Sequence, residues 1–322
     1  MQYPGIAVIL TIGGTEIQMR IGMSLTESQT PQALGLLRDE LLMAVDDGFS
    51  SAWMANIFGL DALTALAVAG SGIAGIEIGT AVVPTYPRHP AVLAQQALTA
   101  ALALDSRLTL GIGLSHKIVI EDMYGFSFDA PATHMSEYLS ILLPLLDGQP
   151  VAFDGTTLRG SIGLSVPRTG PVPVMLAAMG PAMLRLAGKR TAGTILWMTG
   201  PATTRDYIAP TINAAAEEAG RPAPRVVCVL PVCVTDDPDG ARARAAKVFE
   251  IYNQLPSYRA MLDREGAQGP ADVAIVGNED QVAGQIKALA DCGVTDFVAG
   301  EYARGNDRLR TRNLLKSLIA EV

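Results

Sequence analysis

Short apolar runs, polar turns and amphipathic stretches follow one another along this chain, and the unit recurs eight times. Many of the runs are continuous rather than alternating, the pattern of parallel strands covered on both faces. The spacing predicts strands at Arg20–Leu25, Ser51–Ala55, Ile76–Val83, Arg107–Gly113, Val172–Ala177, Thr194–Met198, Val226–Val234 and Thr295–Ala299. Helices are predicted over Gln32–Asp46, Leu60–Ala69, Ala91–Leu104, Ala132–Leu146, Ala182–Arg190, Thr203–Ala219, Asp239–Asn253, Ser257–Glu265, Asp280–Asp291 and Asn306–Ala320. Thr30-Pro31 and Pro90 supply helix-start signals, and Gly48 and Gly220 supply stops. Eight strand–helix units with right-handed crossovers predict an α/β fold, a (β/α)8 barrel. The strand count disfavours an open doubly wound sheet, and no strand–GxGxxG–helix unit or P-loop is present.

Two segments depart from the alternation. Residues 148–171 carry Val-Ala-Phe-Asp-Gly-Thr-Thr-Leu, which reads as a hairpin turning tightly at Asp154-Gly155. They form an expected insertion between strands four and five. Residues 1–18 are expected to be a short extension ahead of a single barrel domain, 19–322. The apolar stretch Ile6–Ile12 has no basic residue before it and no small-residue cleavage site after it, so it is not read as a signal peptide.

Composition narrows the class further. Apolar residues are 49% and charged residues 17%, enough for a large core. A net charge of -8 with no Lys/Arg block excludes nucleic acid as an expected partner. No apolar run approaches the ~20 residues that span a bilayer, so no membrane contact is expected either. Cys228, Cys233 and Cys292 show neither metal-ligand nor disulfide spacing; no metal and a reducing, cytoplasmic setting are expected.

In such a barrel, chemistry sits where strands end. Strand three exits through GTAVVPTYPRHP (Gly79–Pro90), small residues followed by a proline-stiffened loop. Small residues there let a flat ligand approach the backbone. Strand five exits through Ala177, Ala178, Met179 and Gly180 to Pro181, at a helix start whose free amides and positive dipole suit a phosphate. Many strand-to-helix turns carry Gly and Pro, so this turn alone does not decide the matter. Lys189 and Arg185 on the following helix are candidates to neighbour an anionic cofactor tail, with solvated helix charges as the preferred reading.

The strand-three segment, the AVLAQQALTAALAL and RLTLGIG after it, and PVMLAAMGPAMLRLAG (Pro173–Gly188) together resemble the luciferase-like family of flavin- and coenzyme F420-dependent oxidoreductases. The likeness runs from about Arg20 to Leu315. It implies hydride transfer at the barrel mouth, coenzyme F420 as cofactor with FMN as the alternative, and a small-molecule substrate. It also implies a homodimer, to which the apolar helix Leu60–Ala69 could contribute. A non-proline cis peptide is implied at Thr80–Ala81, behind the ring, and the expected cofactor contacts are Asn56, Thr80, Ala81, Gly113, Ala177, Ala178, Met179 and Gly180. Sugar- and alcohol-oxidising relatives keep a catalytic His after strand two. Here the sequence is Asn56-Ile57, and Ile57 transfers no proton, which favours a reductase acting on a C=C or C=N bond.

A reductase needs a proton donor within hydrogen-bond reach. His116, after strand four, is the first candidate, against a loop histidine that merely caps backbone groups. His89, His134, Tyr124, Glu121 and Asp61 are weaker ones. Phe58 and Trp197 are expected to line the substrate pocket, although Trp197 also reads as core. An FMN-dependent monooxygenase and a non-catalytic flavin-binding barrel are the remaining readings.

Overall fold

A computed structural model describes residues 9–12 and 15–320. The eight apolar runs pair side by side: β1 (Arg20–Ser24), β2 (Ser51–Met54), β3 (Glu77–Thr80), β4 (Leu108–Gly113), β5 (Val174–Leu176), β6 (Gly193–Trp197), β7 (Arg225–Val234) and β8 (Asp296–Glu301). Each is parallel to its neighbour in chain order, and β8 pairs with β1, so the sheet closes into the expected barrel. The helices are α1 (Ala33–Asp46), α2 (Ala62–Gly70), α3 (Pro90–Ala103), α4 (Pro131–Leu146), α5 (Pro181–Arg190), α6 (Pro201–Glu218), α7 (Pro238–Val248), α8 (Glu250–Gln254), α9 (Pro256–Glu265), α10 (Glu279–Asp291) and α11 (Asn306–Ala320).

The differences from the sequence pattern are local. A π turn, Thr204–Ile208, lies inside α6. The helix expected over Asp239–Asn253 breaks at Phe249 into α7 and α8. A three-residue strand, Ile275–Gly277, pairs with the end of the long β7 and has no counterpart in the sequence reading. Ile9–Ile12 and Thr15–Gln18 pair as an antiparallel hairpin. The rest of the 1–18 extension lies outside the described residues. Helix α2 serves the core through Leu63, Leu66 and four small residues, and only Val68 among its larger side chains is strongly exposed.

Alternation along each strand sorts side chains between the barrel interior and the helix layer. The interior has three tiers. At its N-terminal end, Arg20, Glu77, Arg225 and Asp296, each the first residue of its strand, form one ion-paired network. Thr109 adds a hydrogen bond of 2.7 Å to Glu77. Above it Trp53, Met175, Ile195, Val227, Val229 and Val298 pack as an apolar plug. The top tier includes Ala81, Val82 and Trp197, packed against the plug. A cavity of about 510 Å³ opens at the N-terminal face among Arg20, Glu77, Arg107 and Arg225. In a barrel of this kind that face serves stability.

The insertion is a hairpin, Val151–Asp154 with Arg159–Ile162, but not the tight one expected at Asp154-Gly155. Asp154 pairs with Arg159, leaving a four-residue loop wrapped around a carboxylate. Glu137 of α4 accepts the amides of Thr156 (2.7 Å), Thr157 (2.7 Å) and Leu158 (2.9 Å) and the Thr157 hydroxyl (2.6 Å). Gly155 is needed because a Cβ there would lie 2.6 Å from the carboxyl carbon. Burial raises the Glu137 carboxyl, but these donors outweigh it and hold it at about 2, against an ordinary 4.5. A depressed folded-state value gives a stabilisation complete above pH 4.5 and lost as pH falls towards 2. Protection of the amides at residues 156–158, relative to their intrinsic exchange at each pH, should therefore fall in that window. Glu137→Gln should exchange fast there already at pH 7; unchanged protection would contradict the role.

Candidate active site

The C-terminal mouth is built from two unlike walls. On one side, β3, β4 and β5 contribute Ala81, Val82, Gly113 and Ala177. A Cβ on Gly113 would lie 2.7 Å from Val82 Cγ2 and 3.2 Å from Ala177 Cβ, so this wall is already closed without one. Ala81, Val82 and Ala177 are half-buried at the opening, whereas Thr80, Ile112 and Leu176 behind them are buried. On the other side, β6 ends in Trp197, flanked by aromatic rings from the segment after β7. Gly300 of β8 makes room for the indole, its missing Cβ falling 3.3 Å from Trp197 Cζ3.

The non-proline cis peptide is present at Ala81–Val82, one bond beyond the expected Thr80–Ala81. Thr80 lies behind the mouth. Its hydroxyl donates to the Gly111 carbonyl (2.8 Å) and accepts from the Gly111 amide (2.9 Å), tying β3 to β4. Ala178 is likewise turned inward, its amide and carbonyl both bonded to Thr194 Oγ1. Met179 and Gly180 stand further forward, half-buried and exposed respectively. Helix α5 begins at Gly180 without a side-chain cap, and Pro181 at its first position carries no N–H. The amides of Ala182 and Met183 are therefore the donors of its first turn. By contrast Asp61 caps α2, Asp237 caps α7, and Glu265 accepts from Ala202 and Thr203 at the start of α6.

Asn56 sits half-buried after β2, its Oδ1 held by the Ala62 amide at 3.0 Å. Ile57 and Phe58 follow on the rim, more than half exposed. His116 is half-buried after β4, its ring 5.5 Å from Tyr258. Burial lowers its pKa below 6.5, so the imidazole is neutral at pH 7.

The weaker candidates have structural duties. His89 caps α3 through Nδ1 and bonds the Arg159 carbonyl through Nε2 at 2.8 Å, fastening the insertion. His134 stacks on Tyr86 at 3.9 Å and shares a 3.1 Å hydrogen bond with Thr85; burial takes it down to about 4. Asp61 is paired with Arg88 and bonded by Gln96. Glu121 accepts the Phe128 amide and pairs with Lys117, and Tyr124 is exposed. Lys189 pairs with Glu218. Among the described residues no cluster of His, Cys, Asp or Glu could hold a metal, and no helix is long and apolar enough to cross a membrane.

Sequence reasoning missed Phe249, Tyr252 and Tyr258. The available signal was three aromatic residues within ten positions in a chain only 5% aromatic.

A closed parallel barrel with small residues on one side of its C-terminal mouth and aromatic rings on the other does not by itself fix an activity. The chain belongs to the luciferase-like monooxygenase family, whose model matches residues 17–296. It is 26% identical to the 5,10-methylenetetrahydromethanopterin reductase of Methanolobus tindarius, over 86% of this chain and 93% of that one. The coenzyme F420-dependent tetrahydromethanopterin reductase of Methanopyrus kandleri shares its fold with a TM-score of 0.77 at 23% identity, covering 94% of this chain and 98% of the other. The oxygenating constituent of 3,6-diketocamphane monooxygenase from Pseudomonas putida, in complex with FMN, gives 0.74 at 17% identity, with 94% and 98% covered.

Proposed function

We propose that this chain is an F420-dependent oxidoreductase that delivers hydride from the reduced cofactor to a C=C or C=N bond of a small organic substrate. The observation that carries this reading is the small-residue wall, Ala81–Val82, Gly113 and Ala177, beside the uncapped start of α5. A flat ring can lie against such a wall, and a phosphate suits the free amides of a helix start. The residues that would hold the cofactor are therefore Ala81, Val82, Gly113 and Ala177 for the ring and Met179, Gly180, Ala182 and Met183 for the phosphate. Thr80 and Ala178 support them from behind, and Asn56 offers its amide at the far edge. Reduced F420, when bound, supplies the hydride. The F420-dependent relatives support the cofactor, and Ile57, where oxidising relatives keep a base, supports the direction. The barrel over residues 19–322 is read as one domain, and three buried free thiols fit a cytoplasmic setting.

FMN-dependent oxygenation is the second reading, favoured by the FMN-bound structure of the same fold. Adding F420, FMN and NADPH in turn to the protein and following ligand fluorescence separates them. Tight F420 binding is expected; tight FMN binding with none for F420 would overturn the first reading, and failure of all three would point to a non-catalytic barrel.

His116 is retained as the proton donor in this reading, with one consequence of its burial. An acid must be protonated, so turnover should fall as pH rises through a value below 6.5. His116→Ala should flatten that limb; an unchanged profile would remove His116 from the reaction.

A further inference from the structure

The wall opposite the cofactor seat is a continuous row of rings. Trp197 meets the edge of Phe249 at 5.6 Å and 79°, and of Tyr252 at 5.7 Å and 74°. Tyr252 meets Tyr258 at 5.0 Å and 85°, and Tyr258 reaches His116 at 5.5 Å. The segment carrying Tyr252 and Tyr258 follows β7, whereas His116 follows β4, so α8 and α9 extend across the mouth between strands that are not neighbours. Helix α9 is fastened there by Arg264 over the Tyr207 ring at 3.9 Å and by Glu265 on the α6 amides.

The polar groups of this row are uncharged. Burial raises the phenols of Tyr252 and Tyr258, which stay protonated, and it keeps His116 neutral. Tyr258 Oη is engaged by no hydrogen bond among the described residues. The charged groups of α9 and of the α2 cap are already occupied. Arg259 binds Asp263, Asn253 and the carbonyls of Ala267 and Gln268. Glu265 holds α6, and Asp61 holds Arg88. A wall of ring faces and edges with phenol donors and no cation of its own disfavours a phosphorylated or carboxylated ligand, whose desolvation nothing would offset. It suits a flat apolar ring bearing an acceptor oxygen.

We propose that the mouth binds a neutral, planar, conjugated carbonyl compound, its ring against Trp197 and Tyr252 and its oxygen accepting from Tyr258 Oη. The inference names the substrate class of the proposed reductase and rests on that reading for its purpose. An electron-poor conjugated system is the kind of group that accepts hydride.

The test uses the cofactor-free protein, so it is separable from the F420 titration. Menadione is titrated by calorimetry and by quenching of tryptophan fluorescence, with methylnaphthalene, which lacks the carbonyl oxygens, as the control ring. Of the two tryptophans, Trp53 is buried in the plug. The quench should therefore be saturable and should vanish in Trp197→Phe. Tyr258→Phe keeps the ring contacts and removes only the hydroxyl. It should weaken menadione about 10-fold, as expected for one lost hydrogen bond of roughly 1.4 kcal/mol, and leave methylnaphthalene unchanged. Absence of saturable menadione binding, equal loss for both probes, or no change in Tyr258→Phe would overturn the proposal. Any of these alongside normal F420 binding would leave the cofactor reading standing. Menadione binding without F420 binding would overturn the cofactor reading alone.

Discussion

Gly113→Val is expected to abolish cofactor binding at working concentrations while leaving the barrel folded. The first carbon of the new side chain falls 2.7 Å from Val82 Cγ2 and 3.2 Å from Ala177 Cβ, so it enters the wall on which the ring is proposed to lie. Val82 presents the end of a side chain rather than backbone, so the wall can give way by shifting outward into the opening. The cost to folding is that of overpacking, about 1–3 kcal/mol. The cost to binding is larger, because the displaced Val82 is driven into the space in which the ring is proposed to lie. An increase of about 100-fold in the F420 dissociation constant is expected, about 2.7 kcal/mol. Gly113→Ala should fall between, near 10-fold. Fluorescence titration with a parallel melting curve reads both quantities. Undiminished affinity in the valine variant would place the ring elsewhere.

Asp296→Ala should be the most destabilising single change at the opposite end of the barrel. Asp296 is 1% exposed and accepts from Arg225 at 2.8 Å and from Arg20. Burial alone would raise its carboxyl, but the hydrogen bond and charge of Arg225, with Arg20 behind it, outweigh burial and hold it below the ordinary range. Removing it leaves two guanidinium groups sharing Glu77; because both are partly exposed, the cost is at the low end for a broken buried network, about 3 kcal/mol. For a chain of this size the melting temperature should fall by roughly 10 °C. Because the folded-state value is depressed, the contribution is complete above the ordinary aspartate range, near pH 4, and is lost as pH falls below it. The wild-type protein should therefore lose stability on acidification more steeply than Asp296→Ala. A variant melting within a degree or two of wild type, or equal acid sensitivity, would mean that the network contributes little.

Those two predictions rest on features that the sequence carried unequally. The strands were legible because parallel strands covered on both faces must be apolar throughout, and the small residues at positions 81, 113 and 177 stand out at three strand ends. The ion network was legible in principle: β1, β3, β7 and β8 each begin with a charge directly ahead of an apolar run. What the sequence does not carry is the partner of each charge, because pairing follows from barrel closure. The cis bond fell one residue from its expected place because only the backbone trace fixes which peptide of Thr80-Ala81-Val82 is turned. The Asp154-Gly155 turn misled because a carboxylate from another element, Glu137, organises that loop, and the glycine serves close approach. The aromatic row was hidden for a similar reason. Nothing in the local pattern of Phe249–Tyr258 shows that its helices reach from the end of β7 to His116.

A crystal structure of the protein soaked with F420 tests the central claim most directly. The deazaflavin ring is expected in van der Waals contact with Ala81, Val82 and Gly113, and the phosphate on the amides at the start of α5, with the Trp197 wall facing the open side of the ring. Density for the cofactor in the cavity between Arg20, Arg107 and Arg225 at the N-terminal face, or at the mouth with the phosphate away from Gly180–Met183, would contradict it.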